Sequence, residues 1–352
     1  MPQKIMFLHC TDEYSGAENI SLSIARALKE RGFDVVYCSP NGPIRQYIND
    51  HFNEIRYLPI SKFSLSNIRK AVNHEKPDIV HAADFRVSMY MALMHMALLG
   101  KPYVVHLHNN PSWIKKESLF TCMLLYTLNH SVGNIYVSKS IEEEFAFSKY
   151  VRNNTQVIEN VVLKDRVLRG AEEKNTKKYD IGFFGRLTEQ KDPLRFLKIV
   201  KQISDKIPNL SVLMVGKSDG TLDTEIQEYI GENKLNVNVI GFQQNPYKYM
   251  KSCRIIIMPS KWEGFGLTAV EAMILGKPVL STDVGGLKDV QRDTDNICYT
   301  DSEFAIKSID LLTNKKDYVE KSDEVKKAVE RFTNIDSYIN RIVSVYGYGN
   351  QK

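Results

Sequence analysis

Short apolar runs rich in Val, Ile and Phe alternate with stretches of helical period along almost the whole chain. In the first half the runs are KIMFLHC (4–10), DVVYCS (34–39), DIVHAA (78–83), YVVHLHN (103–109), NIYVS (134–138) and QVIEN (156–160). In the second they are YDIGFFG (179–185), LSVLMVG (210–216), VNVIGF (237–242), RIIIMPS (254–260), PVLSTD (278–283) and a weaker NICYT (296–300). Runs this continuous suit strands covered on both faces, and their alternation with helical patterns predicts βαβ units and parallel sheets. Between the two sets lies LKDRVLRGAEEKNTKK (163–178), which is polar, charged and without an apolar period, so a linker is expected there. The halves echo each other. MALLGKPYVVHLHN resembles MILGKPVLSTDVGG: in each, a helix is expected to end at Gly100 or Gly276, with Lys-Pro leading into the next strand. The tail from about Glu303 reads as helices.

A length of 352 residues exceeds what one core usually sustains, so two domains are expected, 1–165 and 166–352. The last helix, about 335–349, is a candidate to pack back on the N-terminal domain. Hydrophobic residues make up 43% and charged residues 25%, the balance of an ordinary globular protein. The net charge of +5 is spread over both halves, which argues against a nucleic-acid partner, since that would need a concentrated basic face. Five scattered cysteines with no C-x-x-C fit free thiols in a reducing cytoplasm. The start, MPQKIMFLHC, reads as a strand and lacks the apolar run of a signal peptide. The greasiest segments, VSMYMALMHMALLG (87–100) and LFTCMLLYTLNH (119–130), fall short of the roughly 20 residues needed to span a bilayer. They are expected as buried helices. Lys115 and Lys116 beside the second leave peripheral contact with the inner membrane surface as the one association open.

In open parallel sheets, ligands bind where strands end and helices begin. Three such places stand out. Ser15-Gly16 precedes an amphipathic helix and offers exposed N–H groups to an anion. In FFGRLTEQKDP, the strand ends at Gly185, and Arg186 and Lys191 follow before a helix start at Asp192-Pro193. A planar guanidinium and a compact ammonium at one strand end suit a diphosphate. A solvated basic turn is the alternative, and the P-loop spacing is missed. In PSKWEGFGLTAVEAMILGKP, Ser260 leaves the strand, Gly264 and Gly266 let backbone approach a ligand, and a helix starting near Gly266 aims its amides at the same spot. Glu263 and Glu271 flank that turn, about 12 Å apart if the helix were straight. Two carboxylates with amides between them fit a nucleotide sugar.

These residues, in this order, resemble the retaining glycosyltransferases of family 4 (glycosyltransferase group 1). The motifs are GRLTEQKDP, VGKSDG, GFQQNPYKYMKSC, MPSKWEGFGLTAVEAMILGKPVLSTDVGG and, earlier, SGAENISLSIARAL, VVHLHN, VSKSI and VIEN. The resemblance implies the GT-B fold: two Rossmann-like, doubly wound α/β domains facing across a cleft, the first for the acceptor and the second for the nucleotide sugar. It implies that Arg186 and Lys191 bind the donor diphosphate, that Glu271 holds the ribose, and that Glu263 contacts the transferred sugar. Gly185, Ser260, Gly264, Phe265, Gly266 and Leu267 would line the donor, and Gly16 would line the cleft from the N-terminal side. His108 would match the family histidine beside the sugar, with His106 the alternative.

The resemblance further implies hexosyl transfer from a nucleoside diphosphate sugar, a UDP-sugar ahead of GDP-mannose, to a glycan or lipid-linked acceptor in cell-envelope polysaccharide synthesis. No cofactor and no metal are expected. The D-x-D at 293–295 reads as a solvated turn, and the H-x-H pair lacks a third ligand. The rival readings are a nucleotide-sugar epimerase, a phosphorylase or a non-catalytic nucleotide-sugar-binding protein on a similar fold. Three departures from the family pattern concern loops: Ser15 where Gly is common, Val161 after Asn160, and the VGKSDG turn. Trp113 could stack on a sugar or simply pack.

Overall fold

The computed structural model describes residues 3–97, 101–173 and 177–347. The chain divides into two compact units. One is formed by the chain through Val161 together with the segment from Ile335 onward, the other by Val162–Asn334.

The first unit is built on seven strands: β1 (Lys4–Leu8), β2 (Asp34–Pro40), β3 (Arg56–Ile60), β4 (Ile79–Ala83), β5 (Tyr103–Leu107), β6 (Gly133–Tyr136) and β7 (Thr155–Val157). They pair in parallel in the order β3-β2-β1-β4-β5-β6-β7. The second unit holds β8 (Tyr179–Phe184), β9 (Val212–Val215), β10 (Val237–Val239), β11 (Cys253–Met258) and β12 (Val279–Ser281), also parallel, in the order β10-β9-β8-β11-β12. In both sheets the order reverses once, at β1/β4 and at β8/β11. Loops leaving the two strands at such a switch point diverge to opposite faces and open a crevice. Both units are thus Rossmann-like, as the alternation of runs predicts.

Where expectation and structure part, the reason is local. RYLPI (56–60) is a strand that the apolar pattern passes over, because Arg56 and Pro59 interrupt it. It sits at the sheet edge, where a missing N–H does no harm. NICYT forms no strand; only Ile297 bridges to Ser281. Part of the expected linker is a helix, Lys164–Gly170, whose Val167 is buried one turn before buried Ala171. Two apolar positions four apart suffice to seat it against the helix Leu267–Ile274. The expected helix end at Gly100 lies outside the described residues. Gly276 ends its helix with φ +66°.

The helix Ile335–Val345 belongs to the first unit, although most of the sequence before it builds the second. It buries Ile339, Ile342 and Val345, and the following Tyr346 gives its hydroxyl to a 2.7 Å hydrogen bond with His81 Nδ1. Arg31 pairs with Asp336 at 3.0 Å on its exposed flank. Ile342→Ala should therefore cost the first unit about 2–5 kcal/mol. Denaturant unfolding of the intact chain should show a weakened transition, and an unchanged midpoint would contradict the docking of this helix.

Candidate active site

The second unit's crevice is formed by the loops after β8 and β11. β8 ends at Phe184, and Gly185 takes φ +155° as its carbonyl lies over Gly216. A Cβ at position 216 would sit 1.7 Å from that oxygen, so only glycine allows the approach. Gly185 N–H donates to Val215 O at 3.0 Å and Leu187 N–H to Lys217 O at 2.9 Å, which fixes the turn on its neighbour. Asp192, with φ +51°, caps the next helix, Pro193–Ser204, by accepting from Arg195 N–H at 3.3 Å.

Within this turn Lys191 reaches Glu263, which β11 and its loop present from the other side. The two form an ion pair with side chains only 14% and 6% exposed. Ser260 Oγ donates to the same carboxylate oxygen, Oε1, at 2.9 Å, and Ser260 O accepts from Thr282 Oγ1 at 2.7 Å. Both bonds to Glu263 use Oε1, so Oε2 takes none from the described residues. Lys191 has three N–H donors and spends one here. Arg186 is exposed and donates Nη2 to Gln190 Oε1 at 3.1 Å. Gln190 also donates Nε2 to Trp262 O at 3.1 Å and accepts Lys261 N–H on its own carbonyl at 2.8 Å. It stitches the two loops together, and nothing in the spacing of the motif singles it out.

Gly264, Phe265 and Gly266 carry the chain from Glu263 to the helix Leu267–Ile274, with Gly266 (φ +99°) at the cap position. Ala269 N–H donates to Gly266 O at 2.9 Å, and the amides of Leu267 and Thr268 before it have no acceptor within the helix. The turn lies on Gly285-Gly286. A Cβ at 285 would meet Glu263 O at 1.8 Å, and one at 286 would meet Phe265 Cα at 2.3 Å. Gly286 N–H donates to Glu263 O at 3.2 Å. Phe265 is buried and meets Phe332 edge-on at 5.5 Å. The role of this glycine pair is the second feature that spacing does not reveal.

Glu271 stands one turn further along, partly buried, and accepts from Tyr247 Oη at 3.0 Å. Burial pushes its carboxyl above the usual range, against Arg166 and the tyrosine bond. The D-x-D turn is tied up in ion pairs: Asp293 with Arg331 at 2.7 Å, and Asp295 with Lys321.

The first unit has its own polar cluster where β1, β4 and β5 end. Gly16 begins the helix Gly16–Glu30, with Ser15 as its cap residue. Ser15 Oγ donates to Glu18, which also takes His9 Nδ1–H at 3.2 Å. Burial pushes the Glu18 carboxyl up, but His9, Ser15 and its own amide outweigh this and bring it down to about 2. Serine in place of the family's glycine thus gains a partner. His108 has both ring nitrogens buried without a partner among the described residues, and burial, reinforced by His9, pushes it down to about 3. It is a neutral imidazole near pH 7. Its amide is held by Asp84 Oδ1 at 2.9 Å, and burial pushes that carboxyl up to about 6. His106 meets the His108 ring at 3.9 Å, tilted by 36°, and turns Nδ1 toward His81 Nε2 at 3.0 Å. Its bonding runs into the core, so His108 is the one that keeps open valences on both nitrogens. Trp113 packs edge-on against Phe85 at 4.9 Å.

The geometry has counterparts in known proteins. The family described as "Glycosyltransferase Family 4" matches residues 14–166, and "Glycosyl transferases group 1" matches residues 165–331. An uncharacterized glycosyltransferase of Methanocaldococcus jannaschii is 30% identical over 61% of this chain, a match that spans 58% of that relative's length. The Escherichia coli UDP-Gal:alpha-D-GlcNAc-diphosphoundecaprenol alpha-1,3-galactosyltransferase is 24% identical over 97% of this chain and 87% of its own. Among solved structures, HepE of Anabaena, crystallised with UDP and glucose, superposes with a TM-score of 0.81 over 98% of this chain and 99% of its own, at 18% identity. The two family matches together run from residue 14 to residue 331, and the chain belongs to the group 1, family 4 glycosyltransferases of GT-B fold.

Proposed function

We propose that this glycosyltransferase moves a hexose from a nucleoside diphosphate sugar to a hydroxyl of a glycan or lipid-linked acceptor, with retention of anomeric configuration. The observation that carries the reading is the Lys191–Glu263–Ser260 set at the switch point of the second sheet, with the start of the helix Leu267–Ile274 beside it. A carboxylate with one oxygen to spare accepts sugar hydroxyls. An ammonium with two N–H groups to spare, an exposed guanidinium and a helix N-terminus stabilise the charge that develops on a departing diphosphate. Glu271 accepts ribose hydroxyls in this reading, and neutral His108 hydrogen-bonds the transferred sugar.

A UDP-sugar is the favoured donor and GDP-mannose the second. Supporting this are the galactosyltransferase relative, whose name specifies UDP-Gal, and the fold neighbour crystallised with UDP. The diphosphoundecaprenol in the same relative's name supports a lipid-linked acceptor, and cell-envelope polysaccharide synthesis on the cytoplasmic side is the setting this reading proposes. No described helix is long and apolar enough to cross a membrane. Leu119 and Phe120, 77% and 61% exposed beside Lys115 and Lys116, are the surface that would meet a bilayer peripherally. The reaction as proposed needs no metal, because Arg186, Lys191 and the helix amides supply the positive field.

Incubating the protein with UDP-glucose, UDP-galactose or GDP-mannose should release nucleoside diphosphate slowly, with the freed sugar retaining its configuration by NMR and with EDTA making no difference. Inverted product or an absolute metal requirement would contradict the mechanism. Lys191→Ala should lower kcat about 10²–10³-fold, the usual loss for one preorganised charge donor. Turnover within twofold of wild type would remove Lys191 from the reaction. Gly285→Ala should lower kcat/KM about 10²-fold by displacing Glu263 and the following turn. Full activity in that variant would show that the glycine pair does not position the site.

A further inference from the structure

A second cationic pocket lies at the opposite edge of the second sheet. It has a volume of about 300 Å³ and is lined by Lys178, Tyr179, Asp180, Lys251, Cys253 and Lys277 among others. Tyr179 and Cys253 are the first residues of β8 and β11, so the pocket marks the amino ends of these strands. The crevice at their carboxyl ends is a full strand length away, about 17 Å. The donor does not reach it.

The charge around this pocket is unbalanced. Lys178, Lys251 and Lys277 form no ion pair or hydrogen bond through their ammonium groups with any described residue. Some lysines of this unit find carboxylates, as Lys248 does with Glu173, Lys261 with Glu189 and Lys321 with Asp295. The carboxylate at hand, Asp180, turns Oδ2 to Ser211, accepting its N–H at 2.9 Å and its Oγ–H at 2.8 Å, and pairs with none of the three lysines. Arg254 lends only its stem, because its guanidinium is bound to Leu311 O and Leu312 O. Cys253 is a buried thiol pushed up to about 12 and carries no charge near pH 7. Burial, with repulsion from Lys178 and Lys251, pushes the Lys277 ammonium down to about 8. A cluster of like charges around a cavity is destabilising until an anion enters.

We propose that this pocket is an anion site for a phosphate-bearing ligand, held by Lys178, Lys251 and Lys277. A phosphate group matches three point-charge donors lining one pocket, and the volume accommodates it together with a small esterified group. The phosphate could belong to a soluble ester or to a lipid headgroup, and the test separates the two. Inorganic phosphate, against sodium chloride of equal ionic strength, is titrated into the wild-type protein, Lys251→Gln and the double variant Lys251→Gln/Lys277→Gln, with Tm as the readout. Binding at the donor crevice affects all three proteins equally and cancels.

Phosphate should raise the wild-type Tm by about 3 °C more than that of the double variant at tenfold excess over Kd. Lys251→Gln, exposed and harmless to folding, should show a reduced shift. Without phosphate the double variant should be at least as stable as wild type, since like-charge repulsion is relieved. Sedimentation with phosphatidylglycerol vesicles but not phosphatidylcholine, lost in the double variant and competed by phosphate, would assign the ligand to a lipid headgroup. A phosphate shift without vesicle binding would assign it to a soluble ester. Equal phosphate shifts in all three proteins would overturn the proposal.

Discussion

The ion pair between Lys191 and Glu263 is the interaction on which the second unit's crevice depends. It joins residues 72 apart in sequence, delivered by the two loops that leave the sheet at its switch point. Both side chains are largely removed from water, where an isolated charge would be costly and a paired one can be tolerated. Ser260 on Oε1 and the Gln190 bridge then fix the pair in one geometry. Breaking it by removing one partner leaves the other charge stranded, so loop geometry and reactivity change together. That coupling explains why a lysine and a glutamate so far apart in the chain behave as one element.

The second constraint is backbone proximity. Carbonyl oxygens of Gly185 and Glu263 come so close to Gly216 and Gly285 that no side chain fits between them. These contacts pull the two loops tight against their neighbours. In the first unit the corresponding work is done by side chains. The Ser15–Glu18–His9 chain and the Asp84 contact to the amide of His108 hold the ends of β1, β4 and β5. His81, His106 and His108 stay neutral because burial disfavours their charged forms.

Much of this was legible in the chain. Parallel α/β units follow from buried strands written as continuous apolar runs, and the strand ends located the crevice because loops after strands carry ligands in such sheets. Arg186, Lys191, Glu263 and the Gly264–Gly266 turn were recognisable from residue type and order. What stayed hidden depends on contacts between distant segments. Gln190 looks like any polar loop residue until its three bonds to 186, 261 and 262 are seen. Edge strand β3 hides behind its proline and arginine, and Val167 gives its short helix too little apolar signal within a charged segment. The helix Ile335–Val345 is different: a return of the last helix to the first unit was expected from the chain, and it is there that its apolar face is buried.

A double-mutant cycle on nucleotide affinity tests the central claim most directly. UDP binding by calorimetry would be compared across wild type, Lys191→Met, Glu263→Gln and the double variant. If the pair forms one donor seat, the single changes should each weaken UDP binding or its enthalpy, and their effects should fail to add by about 1 kcal/mol or more. Additive effects, or affinities unchanged in all three variants, would show that Lys191 and Glu263 do not act together on the donor.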